Sequence, residues 1–470
     1  MEILERLAGI VGSAHVLTGA DALPYGTDWT RSYAAPPRAV VRPADTGEVS
    51  RVLRLAHDCA LPVVPVAGNT GLVGGTHAPD ALMLSLERLN RIRAIRPESR
   101  VAVVEAGVVL VRLHEAAEAE GLMFPLHFGA RGSAMIGGAL STNAGGSNVL
   151  RYGNARALCL GLEVVLADGR VLDLMSELHK DNSGYDLKDL FIGAEGTLGV
   201  ITAAVLRLVP RPRAHATAMV AAASLPAALS LLNRLQEATG GMVEAFEYMP
   251  RRYMSRLRTV RPDLVPPLGH ARETTILVEL AATAPRDAAP REDGTVPLSE
   301  LLERSLAETI EAGLAEDAVI ARSLSERRRM WAIREAAAEI TFGREPHVDF
   351  DVALPLDRVA EFLDRAQAFL QRADPGAETN AVAHLGDGNV HFTVWPGRDE
   401  PALIGRIRTG IDDLTLALGG SFSAEHGIGL SKLEPMRRGK DPVALEVMRA
   451  LRATLDPKGI LNPGKLLPPA

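Results

Sequence analysis

Three glycine-rich stretches in the first half of the chain constrain its fold more than any other feature. They read PVVPVAGNTGLVGG at residues 62–75, GSAMIGGALSTNAGG at residues 132–146 and LFIGAEGTLGVIT at residues 190–202. Glycine has no side chain to keep a ligand away from the backbone, and the Ser, Thr and Asn residues beside it can hydrogen-bond to that ligand. Three such stretches predict a fold that holds one long or flat ligand against its backbone.

The first stretch follows a predicted helix over residues 46–59 and offers a nest of backbone amides for an anion such as a pyrophosphate. It is not a Walker loop, since no Lys follows, and its glycine spacing differs from the dinucleotide fingerprint G-x-G-x-x-G. A glycine-rich surface loop is the alternative that the spacing leaves open. The predicted cradle consists of Gly68, Asn69, Thr70, Gly71, Leu72, Gly74 and Gly75.

Two segments of the second half contain candidate metal ligands: AHLGDGNVH at residues 383–391 and SAEHG at residues 423–427. Imidazole nitrogens with one carboxylate oxygen suit a divalent ion such as zinc or manganese. The glycines of the first segment permit a tight turn, so its two imidazole rings can converge from a loop or a strand end. We predict His384, His391 and Glu425 as the ligands; the alternative is that both His residues are ordinary core residues.

His426 is predicted to act as a general base, because imidazole titrates near physiological pH and a metal-bound hydroxyl would be a ready proton source. Its alternative role is to orient a metal ligand. Asp387 and Asn389 could hold ligand rings in the required tautomer or contact the substrate. Equally, they could only shape the turn, which is the commoner role of Asp and Asn between glycines.

The three glycine-rich stretches together resemble the FAD-binding half of the vanillyl-alcohol oxidase type of fold, and GILNPGKL at residues 459–466 matches the C-terminal return of that superfamily. With the HLGDGNVH and SAEHG segments, the chain more narrowly resembles the FAD-linked D-2-hydroxyacid dehydrogenases. That family includes D-lactate and D-2-hydroxyglutarate dehydrogenases and the glycolate oxidase flavin subunit. The resemblance covers nearly the whole chain and five motifs in the family's order.

The resemblance implies a noncovalently bound FAD and a divalent metal, with zinc expected. It implies the same three metal ligands, His384, His391 and Glu425. It places FAD contacts in the 68–75 loop and at Ser133, Gly137, Gly138, Ser141, Thr142, Asn143, Gly145, Gly146, Glu195, Gly196, Gly199, Ile201 and Asn462.

The family's Trp-x-x-Arg-Glu segment is matched by WAIRE at residues 331–335, which implies that Arg334 binds the substrate carboxylate. A guanidinium group can bind a carboxylate through two hydrogen bonds and so fix C2 relative to the flavin. Without the resemblance, Arg334 is one Arg in a charged helix over residues 325–339, and a solvated face is the default. Asn389, Thr393 and His426 complete the predicted substrate site.

One departure from the family bears on the substrate. Hydroxyglutarate-specific relatives carry a Lys where HVDFDVALP at residues 347–355 has Asp349. A carboxylate there would repel the distal carboxylate of a diacid, so another cation such as Arg344 would have to replace the Lys, or the substrate differs. Thr393 and Ala338 also stand where those relatives have Asn and Thr. D-2-hydroxyglutarate remains the favoured substrate, followed by D-lactate or D-malate.

The implied reaction is oxidation of a D-2-hydroxy acid to the 2-oxo acid. Arg334 holds the carboxylate, the metal raises the acidity of the 2-hydroxyl group, His426 takes the proton, and the C2 hydrogen passes to the flavin as hydride. Two alternatives stay open. The same ligands could activate water in a metal-dependent hydrolase without flavin, or the chain could be a flavin-bearing subunit that only relays electrons.

Charge, cysteine content and the N-terminal sequence argue against a nucleic-acid-binding protein and against a secreted one. The net charge of -7 and the lack of a basic patch argue against a nucleic-acid partner. Two cysteines without a pairing pattern fit a reducing compartment, and the N-terminus MEILERLAGI lacks the apolar core of a secretory signal. We predict a cytoplasmic enzyme without a transmembrane segment. Its electron acceptor, such as electron-transfer flavoprotein or quinone, and its oligomeric state, for which a homodimer is one option, stay open.

The fold class predicted is α+β, with a two-part FAD-binding domain and an α+β cap domain built on an antiparallel sheet. The Pro-rich stretch at residues 209–213 marks the boundary. We predict a FAD-binding domain over residues 1–211, to which residues 426–470 return, and a substrate or cap domain over residues 212–425 that carries the metal site. In the cap domain, strands alternate with long amphipathic helices that cover one face of the sheet.

Overall fold

The structure is a computed structural model that describes residues 2–469. The strands in this part of the chain are β1 Val16–Leu17, β2 Ala39–Val41, β3 Val63–Val66, β4 Leu82–Ser85, β5 Ile92–Arg96, β6 Val101–Glu105, β7 Leu122–Met123, β8 Cys159–Val165, β9 Val171–Leu174, β10 Val200–Arg207, β11 Val209–Pro210, β12 Ala214–Ala222, β13 Val243–Pro250, β14 Thr274–Ala282, β15 Ala315–Ile320, β16 Val348–Ala353, β17 Glu378–His384 and β18 Asn389–Trp395. The α-helices are α1 Glu2–Val11, α2 Thr46–Asp58, α3 Leu110–Ala119, α4 Ile136–Ser141, α5 Val149–Tyr152, α6 Lys188–Phe191, α7 Leu225–Thr239, α8 Arg251–Val260, α9 Pro285–Ala288, α10 Pro297–Glu311, α11 Leu324–Glu335, α12 Ala337–Phe342, α13 Val359–Ala373, α14 Pro401–Ala417, α15 Leu433–Gly439 and α16 Pro442–Leu455.

The described residues form two compact units. One comprises the chain up to Gly145, Gly153–Pro210 and the chain from Glu425 onward, and the other comprises Gly146–Tyr152 and Arg211–Ala424. Mixed helix and sheet content in both units confirms the predicted α+β class.

The first unit contains two main sheets. Strands β2, β4 and β3 pair in parallel, with β1 antiparallel at the edge. A five-stranded antiparallel sheet has the order β5-β6-β10-β8-β9. Helix α2 begins where the Asp45 side chain accepts a hydrogen bond from the Glu48 amide, and its apolar face is buried. This confirms the helix predicted over residues 46–59, whose last residue, Cys59, is the C-cap.

The second unit is built on a seven-stranded sheet with the order β15-β12-β14-β13-β17-β18-β16, and every adjacent pair is antiparallel. Apolar side chains from one face pack against helices α7, α10, α13 and α14 in a single large core. This confirms the predicted antiparallel sheet, but the prediction that helices cover only one face is wrong, because α8, α11 and α12 pack against apolar residues of the other face. Helix α7 begins after Ser224, whose side chain caps it by accepting a hydrogen bond from the Ala227 amide.

The opposite face of this sheet carries the polar side chains, because successive residues of a strand point to opposite faces. On β18, Val390, Phe392 and Val394 join the large core, so the residues between them lie on the other face. The same alternation holds on β13, β16 and β17. The residues on this polar face are Glu247, Asp349, Asp351, Asn380, His384, Asn389, His391 and Thr393.

The single charged helix predicted over residues 325–339 is interrupted in the structure. Helix α11 ends at Glu335, and α12 begins at Ala337 after a buried turn residue, Ala336. The apolar residues of both helices pack with α8 against apolar residues on the same face of the sheet as the polar side chains. None of the helices within residues 2–469 combines the length and apolar character needed to cross a lipid bilayer.

Candidate functional site

The 68–75 loop of the first unit is held open by contacts at both of its ends. A Cβ atom on Gly68 would collide with the Ser133 carbonyl oxygen, whereas a Cβ atom on Gly71 would meet nothing within 4 Å. Asn69 adopts the left-handed conformation, with φ of 51°, and its side chain bonds to the Thr27 carbonyl and the Thr76 hydroxyl group. The loop is therefore braced by its neighbours and leaves space over Gly71, as a cradle for an anion requires.

The three glycine-rich stretches meet in this unit. The Glu195 amide donates to the Ser141 carbonyl at 2.8 Å, and the Asn462 side-chain amide donates to the Gly75 carbonyl at 3.1 Å and to the Glu195 carbonyl at 2.7 Å. The C-terminal return thus joins the first stretch to the third, and the third contacts the second. Convergence of these four segments is the arrangement expected if one extended cofactor contacts them all.

Glu195 connects this region to the returning chain through its side chain. Its two carboxylate oxygens accept hydrogen bonds from the Ile428 amide at 2.7 Å and the Gly429 amide at 2.8 Å. Burial raises the pKa of the Glu195 carboxyl above its ordinary value, although these two amides act in the opposite direction. The side chain therefore anchors residues 428–429, and cofactor contact at this position would come from the backbone.

The donors and acceptors of this region fit FAD. The Asn462 side-chain oxygen is buried and has no hydrogen-bond partner among the described residues, although its amide nitrogen is fully engaged. A buried acceptor without a donor is costly, so a ligand N–H or O–H group would complete it. FAD has such donors on its flavin ring and ribityl chain, and its pyrophosphate is an anion of the kind that the open loop would suit.

Some predicted cofactor contacts have a packing reason for their small size. A Cβ atom on Gly137 would lie 2.7 Å from the Ala106 methyl group, and one on Gly199 would lie 2.6 Å from a Val164 methyl group.

The Asn143 side-chain oxygen accepts from the Arg156 amide, and Gly146 falls in the second unit. The other predicted contacts, Ser133, Gly138, Ser141, Thr142, Gly145, Gly196 and Ile201, all lie in the first unit.

In the second unit, a tight hairpin brings the two predicted His ligands together. His384 ends β17, β18 begins at Asn389, and the turn between them contains Gly388 with φ of 81°. The two His rings meet edge to face, with centroids 5.6 Å apart. The Asp387 side chain accepts from the Asn389 amide within the same turn, which fits the turn-shaping role for Asp387.

Glu247 is the feature of this site that the sequence analysis missed. Its two oxygens lie 2.8 Å from His384 Nδ1 and 2.8 Å from Arg334 Nε, and its side chain is 1% exposed. Burial alone would raise the pKa of the Glu247 carboxyl, but His384 and Arg334 hold it below the ordinary value. The available signal was a pair of glutamates, Glu244 and Glu247, within the otherwise apolar strand β13, because buried carboxylates need a cationic partner.

Arg334 is buried, so the alternative considered without the resemblance, a position on a solvated helix face, is wrong. Its Nε atom is bonded to Glu247, while its Nη2 atom is buried and has no hydrogen-bond partner among the described residues. A buried guanidinium N–H without an acceptor is unfavourable. Binding of an anionic group such as a carboxylate would satisfy it.

Asp351 lies directly opposite His391 in the β16–β18 pairing, and potential ligand atoms of the two residues are within 4.8 Å of each other. The Asn389 side chain donates to an Asp351 carboxylate oxygen at 3.0 Å and to the Val352 carbonyl at 3.1 Å. Asn389 therefore joins β18 to β16. Asp351 is a carboxylate beside the His pair that was not predicted from the sequence.

Glu425 and His426 begin the returning part of the first unit. The preceding residue, Ala424, belongs to the second unit, where its amide lies 3.2 Å from both the backbone oxygen and a carboxylate oxygen of Asp351. A Glu425 oxygen lies 3.9 Å from His426 Nε2.

Of the residues predicted to influence substrate choice, Asp349 lies on β16, Thr393 on β18 and Ala338 on α12, whereas Arg344 follows α12. The Thr393 hydroxyl group donates to an Asp349 carboxylate oxygen at 3.1 Å and lies 3.2 Å from the Thr341 hydroxyl group. Arg344, the suggested replacement cation, forms a salt bridge of 2.6 Å with Glu378. Arg344 therefore already has a carboxylate partner.

Two protein families match this chain. The family described as "FAD linked oxidases, C-terminal domain" matches residues 211–466, and the family described as "FAD binding domain" matches residues 37–175.

Proteins named D-2-hydroxyglutarate dehydrogenase are similar to this chain over most of its length. The mitochondrial protein of Bos taurus is 38% identical over 96% of this chain and 81% of its own length. The mitochondrial protein of Arabidopsis thaliana is 34% identical over 98% of this chain and 80% of its own length. A protein of Stutzerimonas stutzeri is 31% identical over 99% of this chain and 98% of its own length.

Solved structures share the fold at low sequence identity. A p-cresol methylhydroxylase with bound substrate has a TM-score of 0.76 and 17% identity, covering 99% of this chain and 96% of its own. A 4-ethylphenol oxidase from Gulosibacter chungangensis has a TM-score of 0.72 and 18% identity, covering 99% of this chain and 97% of its own. These likenesses establish the vanillyl-alcohol oxidase type of fold and confirm the fold prediction.

Proposed function

This chain belongs to the FAD-linked oxidases, and from that premise we propose that it oxidises D-2-hydroxyglutarate to the corresponding 2-oxo acid. It is an FAD-dependent oxidoreductase acting on a CH–OH group, as predicted from the sequence. Membership of this family removes the metal-dependent hydrolase as a candidate.

The observation that carries the proposal is the position of Arg334. Its guanidinium group is buried on the polar side of the sheet, and its Nη2 atom lacks an acceptor within the described residues. Through Glu247 it is connected to His384, at the site where two imidazole rings meet. This arrangement supports a substrate with a carboxylate for the guanidinium group and an adjacent hydroxyl group for chemistry at the imidazoles.

The donor set suits a divalent ion, for which we propose zinc. His384, His391 and Glu425 would hold it, and Asp351 supplies a further carboxylate beside His391. Two imidazoles and a carboxylate are common zinc ligands, and the carboxylate bonded to His384 Nδ1 is the usual partner of a metal-binding imidazole. Such an ion, when bound, supplies Lewis acidity toward an oxygen of the substrate.

In the proposed reaction, Arg334 orients the substrate by its carboxylate and His426 accepts the proton of the 2-hydroxyl group. Asn389 and Thr393 are the further predicted substrate contacts. Bound FAD would supply an acceptor for the C2 hydrogen as hydride, so that loss of this hydride and of the hydroxyl proton would leave the carbonyl group of the 2-oxo acid. The cofactor is proposed to be held noncovalently in the cradle of the first unit.

The proposal of D-2-hydroxyglutarate as the substrate rests on the names of the relatives. Shorter hydroxy acids remain candidates, because the Asp349 carboxylate would repel the distal carboxylate of a longer diacid. The Asp349 carboxylate is bonded to Thr393, and Arg344 is paired with Glu378. D-lactate and D-malate are therefore the next substrates to compare. The proposed electron acceptor is an electron-transfer flavoprotein or a quinone, and the proposed location is the cytoplasm.

The test is an anaerobic visible spectrum of the purified, zinc-supplemented protein during separate titrations with D-2-hydroxyglutarate, D-lactate and D-malate. Bleaching of the flavin band by D-2-hydroxyglutarate at the lowest concentration is the expected outcome. Preferential bleaching by D-lactate would replace the substrate proposed here. A flavin band that none of the acids bleaches would favour the electron-relay subunit.

A further inference from the structure

We infer that Glu247 is the positioning residue that fixes the substrate-binding guanidinium group and a metal-binding imidazole relative to each other. The inference rests on the proposed function, because it concerns the roles proposed there for Arg334 and His384. It adds a residue outside the set predicted from the sequence.

The geometry of the carboxylate carries the inference. One Glu247 oxygen lies 2.8 Å from His384 Nδ1, and the other lies 2.8 Å from Arg334 Nε. An ionised carboxylate only accepts hydrogen bonds, so His384 Nδ1 must carry its proton and a metal ion would be bound through Nε2. In the same way, use of Nε by Glu247 leaves the Nη nitrogens of Arg334 to face an anion.

Glu247 is itself held rigidly. It pairs with His384 across the β13–β17 ladder and with Leu277 across the β13–β14 ladder, and its side chain is 1% exposed. Arg334 stands near the end of α11, which is sequence-distant from both strands. A single buried carboxylate therefore links a helix to two strands, and loss of either contact would leave a buried polar group without its partner.

A second buried carboxylate of the same sheet provides a matched control. Glu279 on β14 binds Arg327 through both oxygens, at 2.6 Å and 2.7 Å, and also accepts from the Trp331 ring N–H at 2.9 Å. Glu279 attaches the first half of α11 to the sheet through Arg327, whereas Glu247 attaches the end of this helix through Arg334. Neither Arg327 nor Trp331 belongs to the proposed metal-binding or substrate-binding residues. Comparison of Glu247 with Glu279 therefore distinguishes a carboxylate that positions the site from one that only attaches α11 to the sheet.

The first experiment measures zinc affinity of the purified FAD-loaded protein by competition with a chromophoric chelator, without substrate. We expect Glu247→Gln to weaken zinc binding roughly 10- to 100-fold, the usual effect of losing the partner of a metal-binding imidazole. Glu279→Gln should leave it within about twofold. Glu247→Asp, which retains the charge but shortens the side chain, should restore part of the affinity and serves as the second variant if Glu247→Gln is too unstable.

The second experiment separates the two contacts by double-mutant cycles. The effect of Glu247→Gln on zinc affinity should disappear in a His384→Ala background and persist in an Arg334→Met background. Its effect on KM for the 2-hydroxy acid should disappear in the Arg334→Met background. A residue that only stabilised the fold would instead lower melting temperature and activity in every background alike.

The outcomes distinguish this inference from the proposed function. Wild-type protein that binds no divalent ion, or whose flavin no hydroxy acid reduces, would refute the proposed function. Wild-type protein that binds zinc and is reduced, with Glu247→Gln matching it or with Glu279→Gln equally impaired, would refute the positioning role alone.

Discussion

The His384 and His391 rings meet edge to face, with centroids 5.6 Å apart. In the β17–β18 pairing His391 lies opposite Val382, so the two His residues are diagonal neighbours on one face of the sheet. The hairpin turn fixes that pairing, because Gly388 has a positive φ and a Cβ atom there would collide with the Leu354 carbonyl oxygen. The turn therefore determines whether the rings can share a ligand.

The first prediction concerns this pair. His391→Ala should lower zinc affinity by more than the roughly 100-fold that loss of a ligand's hydrogen-bond partner can cause, because it removes a donor outright. Turnover should fall with the metal content, measured by elemental analysis after dialysis. The exposed His179→Ala variant is the control. Full turnover in metal-free His391→Ala protein would contradict the metal-assisted mechanism.

The second prediction concerns the cofactor cradle. Gly68→Ala should reduce FAD content and destabilise the first unit by about 1–3 kcal/mol, because the added methyl group is overpacked against the Ser133 backbone. Gly71→Ala changes the same loop where there is open space, so it should not lower the stability of the apoprotein. Denaturant unfolding of both apoproteins and flavin absorbance after reconstitution measure these effects. Equal stability of the two variants would contradict this structure of the loop.

The third prediction concerns the carboxylate of the substrate. Arg334→Lys should raise KM for the 2-hydroxy acid about tenfold or more, since a charge-assisted hydrogen bond contributes about 1.5–3 kcal/mol. Lysine retains the charge but not the planar pair of donors. Steady-state kinetics should compare it with Arg328→Lys, an exposed position on the same helix. An unchanged KM would exclude Arg334 as the carboxylate ligand.

The fourth prediction concerns substrate choice. Asp349→Asn should lower KM for D-2-hydroxyglutarate severalfold and leave KM for D-lactate nearly unchanged, because only the diacid has a distal carboxylate to be repelled. Removal of one unit charge about 4 Å away in water is worth about 1 kcal/mol. Asp357→Asn, whose side chain is 81% exposed, is the control. Parallel changes for both acids would show that Asp349 acts without regard to the distal group.

The fifth prediction concerns pH and His114 in the first unit. Burial lowers the pKa of His114 from 6.5 to about 4, although its ring bonds to the Leu126 carbonyl. The unfolded chain therefore binds a proton between pH 6.5 and pH 4 that the folded chain does not, so stability is lost as pH falls through this window. The loss would reach about 3 kcal/mol at most.

His114→Gln should accordingly flatten the pH dependence of unfolding between pH 4 and pH 6.5. Urea unfolding at several pH values measures it, and His179→Gln provides the control at an exposed position. The same slope in wild type and His114→Gln would show that His114 does not titrate in this way.

The sequence by itself determined the family, the α+β class, the cofactor and several element boundaries. Glycine stretches, the HLGDGNVH turn and the Ser224 cap are local signals, since each depends on backbone geometry or on hydrogen bonds within a few residues. Alternation along β16, β17 and β18 was likewise encoded locally, so the strands with His391 and Asp349 could be predicted from their apolar neighbours.

Only the tertiary structure decided which distant groups share a hydrogen bond. Glu247 and Arg334 are 87 residues apart, and Glu247 and His384 are 137 apart, so no spacing rule joins them. Burial of Arg334 does not follow from the helix pattern for the same reason, because the charged residues of α11 resemble a solvated helix and only packing on the sheet buries this side chain. Side-chain partners across a sheet depend on strand order, and strand order is set by the packing of the whole unit rather than by any single segment.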